Sequence, residues 1–337
     1  MFRRSTATTS TALHAIAGPG TSPATTSAYG AASGMPVNQT FGWQLRRQLS
    51  RRARHQLWAY AFLLPMFTLL VVFKAVPIIQ ALLLSLTSYD LISSPRFNGL
   101  SNYLFLITDS RFLGAVRVTL YYMFGTAIPL WILSLGLAVA FNQRFPARNW
   151  IRLAYFLPTI VPLVVFGTVW QFLFHPYGLV NQGLQAVHLP PVLWLTNSAA
   201  VIPGFILATE WRFVPYFMII YLAGLQNIPV ELKEAAAIDG GSRWQVFWHI
   251  TLPLLRPTIL LVVVISLILL SRSFTVAYVM TGGGPNNAST VIGLYIYKAA
   301  FSEYRMGIAA AASILLLLGT MVLTLIQLRV FRDGRDT

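Results

Sequence analysis

The chain has no cysteine in 337 residues, which excludes disulfides, thiolate metal sites and a cysteine nucleophile and leaves the redox compartment open. Acidic side chains are scarce as well. Nine aspartates and glutamates and five histidines form no H-E-x-x-H pair and no acid cluster for a metal, a poor inventory for a membrane enzyme. His175 and His188 are too far apart in sequence for a recognisable motif and read as surface residues. The glycine triplet Gly282-Gly283-Gly284 is not followed by Gly-Lys-Ser or Gly-Lys-Thr, so it is not a Walker A loop, and the chain is not expected to hydrolyse ATP itself.

Apolar residues fill the space that charge leaves. The chain is 56% hydrophobic and 10% charged, with a mean hydropathy of +0.65, the composition of an integral membrane protein. A net charge of +15 would suggest nucleic acid in a soluble protein, but much of the arginine lies beside apolar spans. It therefore reads as topology, with no nucleic-acid partner.

Residues 1–45 are rich in Ser, Thr, Ala and Gly without periodicity and are expected to form a disordered cytoplasmic tail. Arg46, Arg47, Arg51, Arg52 and Arg54 give a basic juxtamembrane segment over 46–56, which by the positive-inside rule places the N-terminus in the cytoplasm. Six spans follow, at about 58–84, 114–141, a third after Arg152 and ending at about Phe174, then 199–223, 258–280 and 306–328. Pro65, Lys74 and Pro77 predict a kinked or extended first span. Arg144, Arg148 and Arg152 mark an inside loop, whereas 88–112 and the Lys- and Arg-free stretch 175–198 belong outside. Arg329, Arg332 and Arg335 put the C-terminal tail, 331–337, inside as well.

The stretch Glu234–Pro253, EAAAIDGGSRWQVFWHITLP, is an island of charge and helix signals between apolar runs. Pro229 and Glu231 open a short helix with Leu232, Ala235 and Ala236 on one face. Asp239-Gly240-Gly241 breaks it, Ser242 and Gln245 form a capping box, and Trp244, Phe247 and Trp248 make an apolar stripe on a second helix that Pro253 ends. The spacing predicts a helix-turn-helix outside the bilayer.

Glu234-Ala235-Ala236, Gly240, Ile250 and Leu252-Pro253 at these offsets resemble the EAA loop of binding-protein-dependent ABC importer permeases. The resemblance covers about 57–330. It extends to Phe97-Asn98-Gly99-Leu100-Ser101-Asn102-Tyr103, Trp211 with Pro215, Leu225-Gln226-x-Ile228-Pro229, Thr281-x-Gly283-Gly284-Pro285 and Met306-Gly307-x-Ala309-Ala310, which together resemble the maltose-type, carbohydrate-uptake branch. One departure is Val118 before Thr119, where that branch often has an Asn-Thr pair.

The resemblance implies an all-α polytopic fold of the type I ABC importer permease architecture, six spans within 57–330, in a prokaryotic plasma (inner) membrane. It implies that the EAA loop, 226–257, docks on a separate ATPase through Glu234, Ala235, Ala236, Asp239, Gly240, Trp244, Phe247, Ile250, Leu252 and Pro253. The expected partners are a second permease, similar or identical, two ATPase subunits that bind ATP and Mg, an extracytoplasmic binding protein, a carbohydrate and membrane lipid. No cofactor, catalytic residue or metal is expected in the chain itself.

Charged residues inside spans persist only if solvated or paired. Lys74 and Arg117 lie toward outer span ends and can snorkel, whereas Glu210, Arg212 and Arg272 lie deeper. Thr209, Arg212, Phe213 and Tyr216 share one face of span four, and Ser266, Leu269, Leu270 and Ser273 share one face of span five. Because the family's helices flanking the EAA loop supply sugar contacts, these stripes, with Glu210 and Arg272, are assigned to a substrate path. Ordinary interhelical packing is the competing reading. Glu210 is expected to pair with Arg272, or each with the partner permease. The same architecture carrying glycerol phosphate, polyamine or amino acid is the first alternative; a membrane enzyme or a channel comes after it.

Overall fold

The computed structural model describes residues 58–143, 146 and 148–332. The expected N-terminal tail, the basic segment 46–56, Arg144 and residues 333–337 lie outside the described residues. Two compact units divide at Phe67. In the first, residues 58–67 are helical and carry exposed apolar side chains. The second, Thr68–Thr337, holds everything else described below.

Among the described residues, four helices are long and apolar enough to cross a membrane: Trp58–Ser85 (α1), Ser110–Asn142 (α3), Val201–Gln226 (α7) and the helix Met306–Arg332 (α13). Two bent helix pairs raise the number to six. Between α1 and α3, the expected loop is partly ordered. Thr87–Ser88 (β1) pairs antiparallel with Arg96–Phe97 (β2), Ser101–Thr108 (α2) follows, and α3 begins at Ser110 because the Asp109 carboxylate accepts the Arg111 N–H as an N-cap. Leu179–Ala186 (α6) lies in the stretch before α7.

The third span is two helices, Arg148–Ile160 (α4) and Leu163–Leu173 (α5), bent by 98°. Pro162 lacks the N–H that would continue the ladder, so the helix stops and restarts around it. The fifth span also departs from a single helix. Arg256–Ser271 (α10) has 16 residues, about 24 Å at 1.5 Å per residue and short of a 30 Å hydrocarbon core. It breaks at Arg272–Ser273 and continues as Phe274–Thr281 (α11).

Ahead of α10 come Val230–Ile238 (α8) and Arg243–Leu254 (α9), the latter meeting α10 at 66°. Pro253 does not end α9 as the sequence suggested; the break falls at Leu255. The reason is a π-turn, Phe247–Thr251, whose Leu252 N–H bonds Phe247 O and so shifts the ladder just ahead of the proline. The same device, Val71–Ala75, precedes Pro77 and lets α1 run on as one helix. Ile292–Tyr297 (α12) then leads to α13.

Packing centres on α3 against α7. Gly125 lets Ile206 approach, since a Cβ there would meet Ile206 Cδ1 at 2.8 Å, and Ala127 and Ala208 are fully buried. Small residues at the contact are what close packing in lipid requires, where van der Waals contact, rather than apolar transfer, holds helices together. One cluster gathers Phe166, Trp170, Phe205 and Met280 from α5, α7 and α11; a second joins Phe217, Met218 and Tyr221 of α7 to Leu130 and Leu255. A third, at the opposite end of α3, packs Leu106, Phe112 and Tyr295 on the alanines of α13. Large apolar side chains remain exposed along α1, α3 and α13, a surface that lipid or partner helices must cover.

Candidate coupling loop and substrate path

The helix-turn-helix predicted at Glu234–Pro253 forms. α8 ends in a left-handed residue, Gly240 at φ +83°, and Gly241 N–H closes the turn on Ala236 O at 2.9 Å. This is a Schellman-type stop, which satisfies end carbonyls and favours glycine for its φ. Ser242 N–H donates to Gln245 Oε1 at 2.8 Å, and Gln245 N–H donates to Ser242 Oγ, so α9 starts with the capping box read from the sequence.

The loop presents its residues outward. Glu234, Ala235, Asp239, Gly240 and Trp244 are exposed, and Ala236, Phe247, Ile250, Leu252 and Pro253 are partly covered. Trp244, Phe247 and Trp248 touch one another with centroids 5.5–6.1 Å apart. Ile238, absent from the expected set, is 86% exposed and the most uncovered apolar side chain of the loop. Its position one turn after Glu234 on the same helix was the available signal. Behind the loop, a pocket of about 320 Å³ is bounded by Val139 and Asn142 of α3 and by Lys233, Arg243 and Phe247. A helix pair that leaves Ile238, Trp244 and Trp248 uncovered has the character of a docking surface.

The two stripes of the assigned path are differently placed. In α7, Thr209 is 1% exposed and its hydroxyl meets Tyr122 Oη at 2.9 Å. The Arg212 Nη1 donates to Pro158 O at 3.4 Å and to Val161 O, and its guanidinium lies 5.3 Å from the Phe166 ring and 5.6 Å from that of Phe213. Tyr216 stands edge-on to Phe217. In α10, Ser266 is buried and accepts the Trp131 indole N–H at 2.8 Å. Leu270 is buried, Leu269 is exposed, and Arg272 lies exposed at the break beside Ser273, whose hydroxyl is shielded and unpartnered. Thr209, Arg212 through Nη1, and Ser266 are thus engaged within the chain, whereas Arg212 Nε is buried without a partner. The largely apolar groove of about 470 Å³ between α3 and α13 is lined by neither stripe.

The expected Glu210–Arg272 pair does not form within the chain. Ion pairs join Asp109, Arg111, Glu303 and Arg305, and neither Glu210 nor Arg272 takes part in them. Glu210 is buried with both carboxylate oxygens unpartnered, within electrostatic range of Tyr122 and Tyr155 on the α3 and α4 side, while Arg272 lies exposed at the helix break. Trp211, between Glu210 and Arg212, was not among the expected path residues. It is 49% exposed and stacks on Phe166 at 6.4 Å and edge-on to Trp170 at 5.8 Å.

Sequence and fold comparisons agree. The chain is 34% identical over 282 residues to the trehalose/maltose transport system permease protein MalF of Thermococcus litoralis, covering 82% of this chain and 94% of that one. It superposes with a TM-score of 0.74 and 26% identity on a chain of a bacterial ABC transporter involved in the import of the acidic polysaccharide alginate, covering 85% of this chain and 99% of that one. A bacterial alginate ABC transporter in complex with an alginate pentasaccharide-bound periplasmic protein gives a TM-score of 0.73 at 26% identity, over 83% and 96% of the two chains. Residues 132–334 match the family described as the binding-protein-dependent transport system inner membrane component, and with these the chain belongs to the permeases of that family, with the type I ABC importer architecture.

Proposed function

We propose that the chain is a membrane-spanning subunit of an ATP-driven importer that accepts a carbohydrate from an extracytoplasmic binding protein and passes it by alternating access. The observation that carries this reading is the exposed helix-turn-helix of α8 and α9, with its left-handed Gly240, set at one end of a bundle similar to sugar permeases. The sugar class draws support from the trehalose/maltose name of the Thermococcus relative and from the two alginate importers. The binding protein draws support from the alginate transporter's periplasmic partner.

In this reading α8 and α9 sit in the cytoplasm with both chain termini. Glu234 makes a polar contact to a separate ATPase, and Ile238, Trp244 and Phe247 supply the packing surface. Asp239 and Gly240 form the turn; Ala235 and Ala236 admit close approach, and Ile250, Leu252 and Pro253 join the loop to α10. ATP and Mg bind the two ATPase subunits. Closure of that pair must favour one access state by several kcal/mol to shift the permease population. A second permease completes the path, with Glu210, Phe213 and Tyr216 on one helix and Leu269, Leu270, Arg272 and Ser273 on the other forming this subunit's wall, while Thr209, Arg212 and Ser266 hydrogen-bond within the chain behind it. Glu210, buried and unpartnered here, faces either the solute or a cation of that second permease.

The test is sugar uptake and ATPase activity in proteoliposomes holding the assembled complex, comparing wild type with Glu234→Lys and Gly240→Trp. Loss of uptake and of binding-protein-stimulated hydrolysis in an intact complex is expected. Normal uptake and stimulation in both variants would refute the coupling role.

A further inference from the structure

The third and fourth spans each carry a proline fault in the helix ladder, and beside these faults each span donates a side-chain hydrogen bond to backbone carbonyls of the other. Pro162 has no N–H for Pro158 O, and at the 98° bend between α4 and α5 the Val161 carbonyl also points out of the ladder. Arg212 Nη1 donates to both carbonyls. In return, one residue beyond Trp211, whose carbonyl Pro215 cannot bond, Thr159 Oγ1 donates to the Arg212 carbonyl at 3.1 Å. The guanidinium is held between the rings of Phe166 and Phe213, and Arg212 is 8% exposed. In a water-free layer carbonyls of this kind need a partner, and a cation that supplies two bonds at once is well matched to a hinge that has lost two.

We infer that Arg212 and Thr159 form a reciprocal latch that locks the broken third span to the fourth, making Arg212 a positioning residue of the permease rather than a ligand for an anionic solute. The consequence for transport rests on the coupling role proposed above. α7 runs from the latch to Gln226, three residues before the Pro229 that precedes α8, so displacement of the helix-turn-helix is carried along one continuous helix to the hinge. Without the latch, α4 and α5 can change their mutual angle while α7 stays put. The wall that Trp211 shares with Phe166 and Trp170 then no longer follows the coupling loop.

Two measurements separate the latch from the transport reading. The chain has no cysteine, so spin labels at Leu157→Cys and Val165→Cys, both more than half exposed, report the distance across the bend without background from this chain, in a complex whose other subunits carry no reactive cysteine. In the assembled complex, the distribution is expected to be narrow with Arg212 present, to broaden in Arg212→Met and in Thr159→Val, and to recover in part in Arg212→Lys and Thr159→Ser. An unchanged distribution in both Arg212→Met and Thr159→Val would overturn the latch, whatever the transport result. In proteoliposomes, Arg212→Met is expected to lower sugar transported per ATP hydrolysed roughly tenfold, the order expected when charged hydrogen bonds to buried carbonyls are lost, with the KM for a neutral sugar unchanged. A raised KM with an unchanged ratio would make Arg212 a solute ligand and overturn the positioning role. Thr159→Val removes one hydroxyl from a partly covered site, so it reads the latch even if Arg212→Met fails to assemble.

Discussion

The hydroxyl of Thr119, in the middle of α3, accepts the backbone N–H of Ile292 at 2.8 Å across 173 residues of chain. Ile292 is the first residue of α12, where the helix itself offers that N–H no partner, and both residues are buried. The same hydroxyl donates to Ala115 O at 2.7 Å, so both of its hydrogen-bonding roles are filled. Val118, the departure from the family's Asn-Thr pair, is only partly buried, and the neighbouring threonine makes the contact.

Replacing Thr119 by valine keeps its volume and strands the Ile292 N–H. The expected cost is about 1–3 kcal/mol, the desolvation of one buried donor. Thr119→Ser, which retains the hydroxyl, is expected to stay near wild type. Thermal unfolding of the purified complex in one detergent checks this, and equal midpoints for Val and Ser would show that the bond contributes nothing.

Gly307 opens α13 where it crosses the end of α1. A Cβ at that position would collide with Thr87 O and meet Asn102 Nδ2 at 3.0 Å. Asn102 in turn donates to Ser85 O at 2.8 Å and Thr87 O at 2.9 Å. Gly307→Ala is therefore expected to destabilise by about 1–3 kcal/mol through overpacking. Gly319, in the same helix with open space where its Cβ would lie, provides the control. Gly319→Ala should be neutral or stabilising by up to about 1 kcal/mol. If both alanines lower the melting midpoint alike, close approach is not the reason for Gly307.

Those two contacts show what was legible in the sequence and what was not. Span number followed from apolar runs, and the Schellman turn at Gly240 and the capping box at Ser242 followed from local spacing, because each is settled within one turn of helix. Asn102 and Gly307 were readable as family motifs, but their meeting was not, since they lie 205 positions apart. The bend at Pro162 and the break at Arg272 were hidden for a related reason. Hydropathy sums a window and is blind to a lost hydrogen bond inside it. The partners of the path residues, Tyr122 for Thr209 and Trp131 for Ser266, carry no local signal at separations of 87 and 135 residues. Glu210 and Arg272 looked complementary by charge alone, but one is buried and the other exposed, a difference that charge does not encode.

Gly240 should tolerate asparagine better than alanine. Space is not the issue, because nothing lies within 4 Å of where its Cβ would be. The constraint is φ +83°, which costs an ordinary L-residue about 1–2 kcal/mol and costs asparagine less. Sugar uptake by the Gly240→Asn complex is expected to exceed uptake by Gly240→Ala at equal expression. The reverse order would mean that the backbone conformation of the turn does not limit coupling.

Asp109 makes a prediction about pH. Its Oδ2 accepts the Tyr295 hydroxyl at 2.7 Å, its Oδ1 accepts Arg111 N–H at 3.1 Å, and Arg111 Nε lies 3.7 Å away. Burial by itself pushes the carboxyl pKa up, but the Tyr295 and Arg111 hydrogen bonds and the Arg111 charge outweigh it and hold the group below its ordinary value of 3.8. A pKa depressed by folding means that the stabilisation is fully present above the unfolded value, about 3.9, and is lost as pH falls through the lower folded value. Asp109→Asn should then melt below wild type at pH 7, and the gap should close as pH is lowered through about 4 toward 3. A gap that stays constant over that range would assign the loss to geometry at the α3 N-cap rather than to the charge.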